Sequence, residues 1–267
     1  MMRPRHSIPS RPASRYDTLR SLDETAAMMS WELLAETCTP DGTVMRLTRR
    51  GHVYSILANA RTLMSSDMHG SEEALATIAC RHARTLEQPR VLVGGLGMGF
   101  TLRATLDLLP PHAMVRVVEL VPAVIEWNRG PLGPIAGHPL NDRRVRIEVG
   151  DVGFTLRANP GGFDAILLDV DNGPAALTTP ANHGLYDNGG VAASYAALRI
   201  GGALAVWSAW EDRKFEQRLR FHGFVAQVDR VRARLKKGGA RHTIFLGVKP
   251  AADGQSGSPA HPGHGRR

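Results

Sequence analysis

The chain has 267 residues, 43% of them hydrophobic and 22% charged, enough apolar material for one full core with appendages. No run approaches the ~18 consecutive apolar residues of a membrane span, and the opening MMRPRHSIPSRPASRY has no apolar centre of a secretory signal. A cytoplasmic protein without membrane contact is therefore expected. The net charge of +8 is concentrated at the two ends and in one internal segment, DRVRARLKKGGAR at 229–241, which sets six basic residues against Asp229. A run of this kind reads first as a solvated hairpin, and contact with nucleic acid is the minor reading.

In chain order, residues 1–25 are rich in Arg, Pro and Ser and are expected to form a disordered basic arm. Residues 26–85 are expected to hold a small β-element and a helix. GTVMRLTRRGHVYSIL, from Gly42, alternates apolar and polar positions about a Gly-containing turn, the pattern of a hairpin. SEEALATIACRHA, Ser71 to Ala83, follows with an N-cap serine, acids in its first turn and apolar residues at helical spacing.

From 86 to 250, short apolar runs alternate with helical patterns, as in a mostly parallel sheet covered on both faces. The fold class is α/β, a Rossmann-like seven-stranded sheet. Its strands are expected at Val91–Val93, Val115–Glu119, Arg146–Val149, Ala165–Asp169, Ala203–Val206, Phe224–Val228 and Thr243–Val248. Helices are expected near Thr101–Leu108, Pro122–Asn128, Gly153–Ala158, Gly190–Leu198 and Trp210–His222. Only a short basic turn separates the last two strands, so the final strand should run antiparallel. Residues 251–267 read as a disordered tail. Cys38 and Cys80 share no CxxC spacing and read as reduced core thiols, and the eleven histidines have no ligand spacing, so no metal is expected.

Chemistry concentrates where the strands end. VLVGGLGMGF places Gly94, Gly95, Gly97 and Gly99 at a strand-to-helix turn, where backbone N–H groups and a helix N-terminus can approach a ligand without an intervening Cβ. Position 100 is Phe, so the GxGxxG dinucleotide pattern is not met, and a nucleoside is favoured. Tight strand–helix packing is the alternative use of such a turn. Glu119 ends the next strand, placed to accept both hydroxyls of a ribose, and Asp151 closes the following one, placed to accept from an adenine amino group. AILLDVDNGPAAL then ends its strand with Asp169 and Asp171, two carboxylates suited to a protonated amine between them or, alternatively, to capping the turn.

The glycine turn, VELVPAVIEWNR, DRRVRIEVGD, LLDVDNGPAAL and GLYDNGGVAASYAALRIGGALAVWS, in that order, resemble the spermidine synthases. These polyamine aminopropyltransferases are a branch of the fold shared with class I S-adenosylmethionine-dependent methyltransferases. The resemblance runs from about Asp41 to Val248. It implies that the glycine turn, Glu119 and Asp151 hold the nucleoside. It further implies that Asp171 takes the amine's proton, that Asp169 orients the amine, and that Tyr186 lies near the substrate or belongs to the core. The implied co-substrate is S-adenosylmethionine or its decarboxylated form, the implied partner a small-molecule amine, and a homodimer fits the same reading.

Three departures mark the chain. Gly97 stands where spermidine synthases carry an aspartate in the glycine turn. The segment Asp169-Val170-Asp171-Asn172 is shorter than their Asp-Ser-Ser-Asp-Pro, and their Tyr-His-Glu stretch survives as MHGSEE, with His69, Glu72 and Glu73. The expected function is transfer of an aminopropyl or methyl group from a sulfonium nucleotide to an amine. Gly97 by itself implies tolerance of intact S-adenosylmethionine. The alternatives are a methyltransferase acting on RNA or another small molecule, and a catalytically silent nucleotide-binding protein.

Overall fold

The computed structural model describes residues 30–170, 173–174, 183–234 and 239–251. The expected basic arm, nearly all of the C-terminal tail, Asp171 and Asn172 lie outside the described residues. The chain divides into two compact units, with Met1–Cys38 and Thr43–Ser65 in the smaller and Ser66–Arg267 with Thr39–Gly42 in the larger.

The smaller unit is a four-stranded antiparallel sheet in the order β1 (Glu32–Cys38), β2 (Val44–Arg50), β3 (Val53–Ala58), β4 (Arg61–Ser65). The expected hairpin is its β2–β3 pair, in which Leu47 lies opposite Ile56, both fully buried. The two outer strands escaped the sequence reading. Asn59 and Ala60, both at positive φ (46° and 66°), form the tight β3–β4 turn that right-twisted strands favour, although alanine is a poor signal for it. Cys38, expected in the core, is exposed at the end of β1, whereas Cys80 is buried, and burial pushes its thiol up to about 12.

In the larger unit a helix α1 (Gly70–Ala79) precedes β5 (Arg90–Gly94), α2 (Phe100–Leu108), β6 (Met114–Glu119), α3 (Pro122–Arg129), β7 (Val145–Val149), α4 (Val152–Ala158) and β8 (Phe163–Leu168). A short α5 (His183–Tyr186), α6 (Asn188–Ala197), β9 (Leu198–Ser208), α7 (Arg213–Phe221), β10 (Val225–Arg232) and β11 (Arg241–Val248) complete it. The sheet order is β10-β11-β9-β8-β5-β6-β7, parallel from β9 to β7, with β11 antiparallel to both its neighbours. Every residue of β8 is buried, Asp164 included, and the apolar run Ala165–Leu168 is what a strand covered by helices on both faces requires. Helix starts obey local chemistry: Asp151, Asp187 and Asp212 cap α4, α6 and α7 by accepting from backbone N–H groups.

Helix α1, grouped in the sequence with the small β-element, packs within the larger unit against α2, β8 and β9. It begins at Gly70 after His69, and Ser71 does not cap it: its hydroxyl donates to Glu72 instead. One side of the sheet is closed by aromatic residues, with Phe215 meeting Tyr186 and Phe245 edge to face and Phe224 meeting Tyr195 in the same way. Each such ring contributes on the order of 1.5–3 kcal/mol by burial. Successive connections run from β5 to β6 and β7 on one side and from β8 to β9 on the other. The order therefore reverses between β5 and β8, and a crevice opens there beyond the carboxyl ends of the strands.

Candidate functional site

The amide of Asp169, just past β8, donates to the carbonyl of Gly94 at the end of β5 at 2.9 Å, tying the two strands together at the point of reversal. The glycine turn leaves β5 here with Gly95, Gly97 and Gly99 at φ of 85°, 53° and 83°. Much of the room these glycines provide is used by the protein itself. A Cβ on Gly95 would stand 2.3 Å from the carbonyl oxygen of Asp169, and one on Gly94 would meet Val152 at 2.9 Å. At Gly99 a Cβ would meet the Asn128 amide oxygen at 2.8 Å. The Asn128 amide nitrogen donates to the carbonyls of Gly97 and Val124, pinning the turn to α3. The packing use of the turn thus operates at Gly94, Gly95 and Gly99, while Gly95 and Gly97 remain partly exposed.

Glu119 is buried beneath that turn. One carboxylate oxygen accepts from the amide of Leu96 at 2.8 Å and the other from the amide of Val121 at 2.9 Å. Burial raises its pKa, opposed by these amides and by those of Leu120 and Gly97. Asp151 is exposed, and one oxygen takes the amide of Gly153 at 2.7 Å, leaving the other toward solvent. Around these acids three apolar side chains remain uncovered: Leu120 (38% exposed), Val149 (57%) and Phe154 (68%). Val149 pairs with Glu119 across β6 and β7, so apolar and acidic groups share one edge of the crevice. Sequence reading passed over these three because a single exposed apolar residue carries no signal.

Asp169 lies on the other side of the turn. Its Oδ2 accepts from Thr101 Oγ1, in the first turn of α2, at 2.5 Å, and burial raises its pKa above the carboxylate range. Glu72 of α1 faces it. Burial first, and then the charge of Asp169, push Glu72 up to about 7. Of the three residues in MHGSEE, Glu73 pairs with His69 at 2.8 Å, and the His69 ring stacks on Phe100, the first residue of α2, at 4.3 Å. Tyr186 is a core residue whose hydroxyl donates to the Val170 carbonyl at 3.1 Å, so it braces the segment between the two sequence-identified acids. Asp171 falls outside the described residues. The structure thus gathers Glu119, the glycine turn, Asp151 and Asp169 at one edge and adds Glu72, Thr101 and Asn128 from other helices.

A wide groove of about 650 Å³ opens elsewhere, at the far end of α2, lined by Arg103, Asp107, Asp142 and Arg144. Arg103 pairs with Asp107 and Arg144 with Asp142 there, whereas the strand-end acids converge on the crevice, which makes the crevice the better candidate. Among the described residues no group of three or more His, Cys, Asp or Glu is arranged to hold a metal ion, and no helix is long and apolar enough to cross a membrane.

No family model matches the chain. It is similar to the polyamine aminopropyltransferase of Mycobacterium tuberculosis, 34% identical over 119 residues, which is 43% of this chain and 22% of that protein. The match thus spans about a fifth of the relative's length. Among solved structures it resembles the spermidine synthase of Thermotoga maritima, with a TM-score of 0.64 at 18% identity, covering 81% of this chain and 72% of the other. A spermidine synthase in complex with the transition-state analogue AdoDATO superposes at a TM-score of 0.65 and 19% identity, over 81% and 73% of the two chains. A probable spermidine synthase from Corynebacterium glutamicum gives 0.55 at 16% identity, over 84% and 83%. The chain therefore has the fold of these spermidine synthases.

Proposed function

We propose that the chain is a transferase that moves the aminopropyl group of decarboxylated S-adenosylmethionine to a small-molecule amine. The observation that carries this reading is the grouping, along one sheet edge, of a buried ribose-type acid, uncovered apolar residues beside Asp151, and an acid at the end of β8. Glu119, backed by the glycine turn, takes the ribose hydroxyls. Asp151 receives the adenine amino group, with Leu120, Val149 and Phe154 against the faces of the base. Asp169 orients an ammonium group.

In the reaction the acceptor nitrogen attacks the carbon attached to the sulfonium sulfur. The C–N bond forms as the C–S bond breaks, the electron pair of that bond returns to sulfur, and neutral methylthioadenosine leaves. The amine must give up a proton, and Asp171 takes it. Holding nucleophile, carbon and sulfur in line supplies up to ~7–11 kcal/mol, and proton removal a further ~10²–10⁴-fold. Tyr186 contributes by bracing Val170 between the two acids rather than by touching substrate.

Gly97 favours a second reading, methyl transfer from intact S-adenosylmethionine, because the glycine turn offers no carboxylate to repel the amino acid end. RNA as the methyl acceptor draws less support. Two arginines of the basic segment are engaged within the chain, Arg230 with Glu211 and Arg234 with Asp67 at 3.0 Å. Incubating the protein with each nucleotide and a panel of amines, and identifying the nucleoside released, separates the readings. Methylthioadenosine marks aminopropyl transfer, S-adenosylhomocysteine marks methyl transfer, and neither, with both nucleotides bound, marks a silent binding protein.

A further inference from the structure

Asn128 lies in the last turn of α3, only 1% exposed, and the transferase reading assigns it no role. Asparagine is a poor helix former, and burying its amide is costly unless the amide is hydrogen-bonded. Both N–H bonds of the amide are committed to carbonyls. One is Val124 on the same helix at 2.9 Å, and the other is Gly97, 31 residues away in the glycine turn, at 2.8 Å. That pairing settles which way the amide faces, because the reverse orientation would set its oxygen against two carbonyls. Oδ1 is left buried with no donor among the described residues, and a Cβ on Gly99 would stand 2.8 Å from it. An unpaired buried acceptor is a standing cost to the fold. Leucine would fill the same volume without it, so packing alone does not account for an asparagine here, whereas the grip on Gly97 does.

The grip acts on a part of the turn that is otherwise loose. Helix α2 starts with no side-chain cap, and Gly97, at a φ of 53°, tolerates both hands of the backbone, so the peptide that follows it could turn over at little cost. The β6–α3 unit holds the turn at two places: Glu119 accepts from the amide of Leu96 at 2.8 Å, and Asn128 donates to the carbonyl of Gly97. The peptide joining Gly97 to Met98 is planar and trans, so its carbonyl and its N–H point in opposite directions. With the carbonyl turned to α3, the Met98 N–H is turned away from it. Among the described residues no group of the chain accepts from that N–H, and Gly97 is partly exposed where the turn borders the crevice.

Resting on the transferase reading above, we propose that Asn128 is a positioning residue for the nucleoside. It touches no substrate. By holding the Gly97 carbonyl it keeps the Met98 N–H aimed as a donor to an acceptor atom of the bound nucleoside, so the turn meets its ligand already ordered.

The test is a calorimetric titration of methylthioadenosine into the full chain and into Asn128→Leu, Asn128→Ser and Asp164→Asn, with affinity expressed per folded molecule. The Met98 amide resonance is followed in labelled protein. Leucine removes both hydrogen bonds at similar volume. Serine keeps a hydroxyl that can reach the Val124 carbonyl one turn back but is too short for Gly97. Asp164→Asn loosens the fold at the other end of the sheet and controls for general destabilisation. Both Asn128 variants should bind roughly 5- to 10-fold more weakly, the effect of losing one aligned hydrogen bond. Asp164→Asn should bind as wild type does. The Met98 amide should shift on binding in wild type and shift less in both Asn128 variants. Wild-type affinity in either folded Asn128 variant overturns the role of Asn128 and leaves the nucleoside site standing, as does an equal loss in Asp164→Asn. A wild-type Met98 amide that stays unmoved at saturating methylthioadenosine does the same. If neither Asn128 variant folds, that wild-type amide decides: a shift on binding supports the proposal and its absence overturns it. Failure of wild type to bind methylthioadenosine at all overturns the transferase reading and this inference with it.

Discussion

Strand β8 carries an acid near each end, and the two are treated in opposite ways. Asp164, near its start, accepts from the amide of Arg90 at 2.7 Å and from Arg199 Nη1 at 3.0 and 3.2 Å, so its charge is met entirely by the chain. Asp169, just past its other end, has the hydroxyl of Thr101 and, facing it, a second carboxyl, Glu72. Both acids are shielded from water, and neutralisation by the chain separates them. At the amino ends of the strands charge is used to close the fold. At the carboxyl ends it is held out of balance, which costs stability and is retained where a ligand can balance it.

The contrast can be broken most sharply at the acids around the crevice. Asp171→Asn is expected to lower turnover by ~10²-fold or more while leaving nucleotide affinity and thermal stability unchanged, measured by steady-state kinetics beside calorimetry. Equal losses in stability and turnover would make Asp171 a turn cap. At the opposite end, Asp164→Asn should cost about 2 kcal/mol of stability in urea denaturation, below the range for fully buried pairs because Arg199 is 39% exposed. Turnover per folded molecule should not change. Glu119→Gln should weaken methylthioadenosine binding by about 1.5 kcal/mol, roughly tenfold, since the amide cannot match the carboxylate as an acceptor for ribose hydroxyls or for the amides of Leu96 and Val121. Unchanged affinity would remove Glu119 from the nucleoside pocket.

The remaining effect is a pH dependence. The folded-state pKa of Glu72 lies at about 7, above its ordinary 4.5, with Asp169, Glu73 and the Ser71 hydroxyl as the groups facing it. Between those values the native state binds more protons than the unfolded chain, so this group's stabilising contribution is full below about 4.5 and is lost as pH rises to about 7. Melting temperature should therefore fall over that window in wild type and fall less in Glu72→Gln. Identical slopes for the two proteins would show that Glu72 is not the group with the raised pKa.

What could be read from the sequence follows from which forces are local. The parallel strands announced themselves because burial on both faces demands apolar runs, as at Ala165–Leu168 of β8, and the antiparallel last pair followed from the short turn between them. Glu119, Asp151 and Asp169 were legible because strand ends in this topology all open on one edge. The function of the glycines was only half legible: a turn needing positive φ is visible, but that the Asp169 carbonyl and Val152 fill the space at Gly95 and Gly94 is a property of packing. Strands β1 and β4 were missed because Leu33 and Ala35 or Thr62 and Met64 alternate too weakly to stand out, and their half-exposed faces make little demand on sequence. Ser71 looked like a helix cap by type and spacing, yet its hydroxyl serves Glu72 and His242. Glu72 itself was visible only as one of two adjacent acids, because what distinguishes it from Glu73 is a long-range meeting with Asp169.

The most direct test of the division between the two ends of the sheet is to map where the nucleoside binds, by titrating methylthioadenosine into isotopically labelled protein and following backbone amide resonances. The expected perturbations cluster at Leu96 to Gly99, at Glu119 to Val121 and at Asp151 to Gly153, with Arg90, Asp164 and Arg199 unmoved. Perturbations centred on Arg103, Asp142 and Arg144 at the far end of α2, or none at saturating nucleoside, would contradict the assignment of the crevice as the site of transfer.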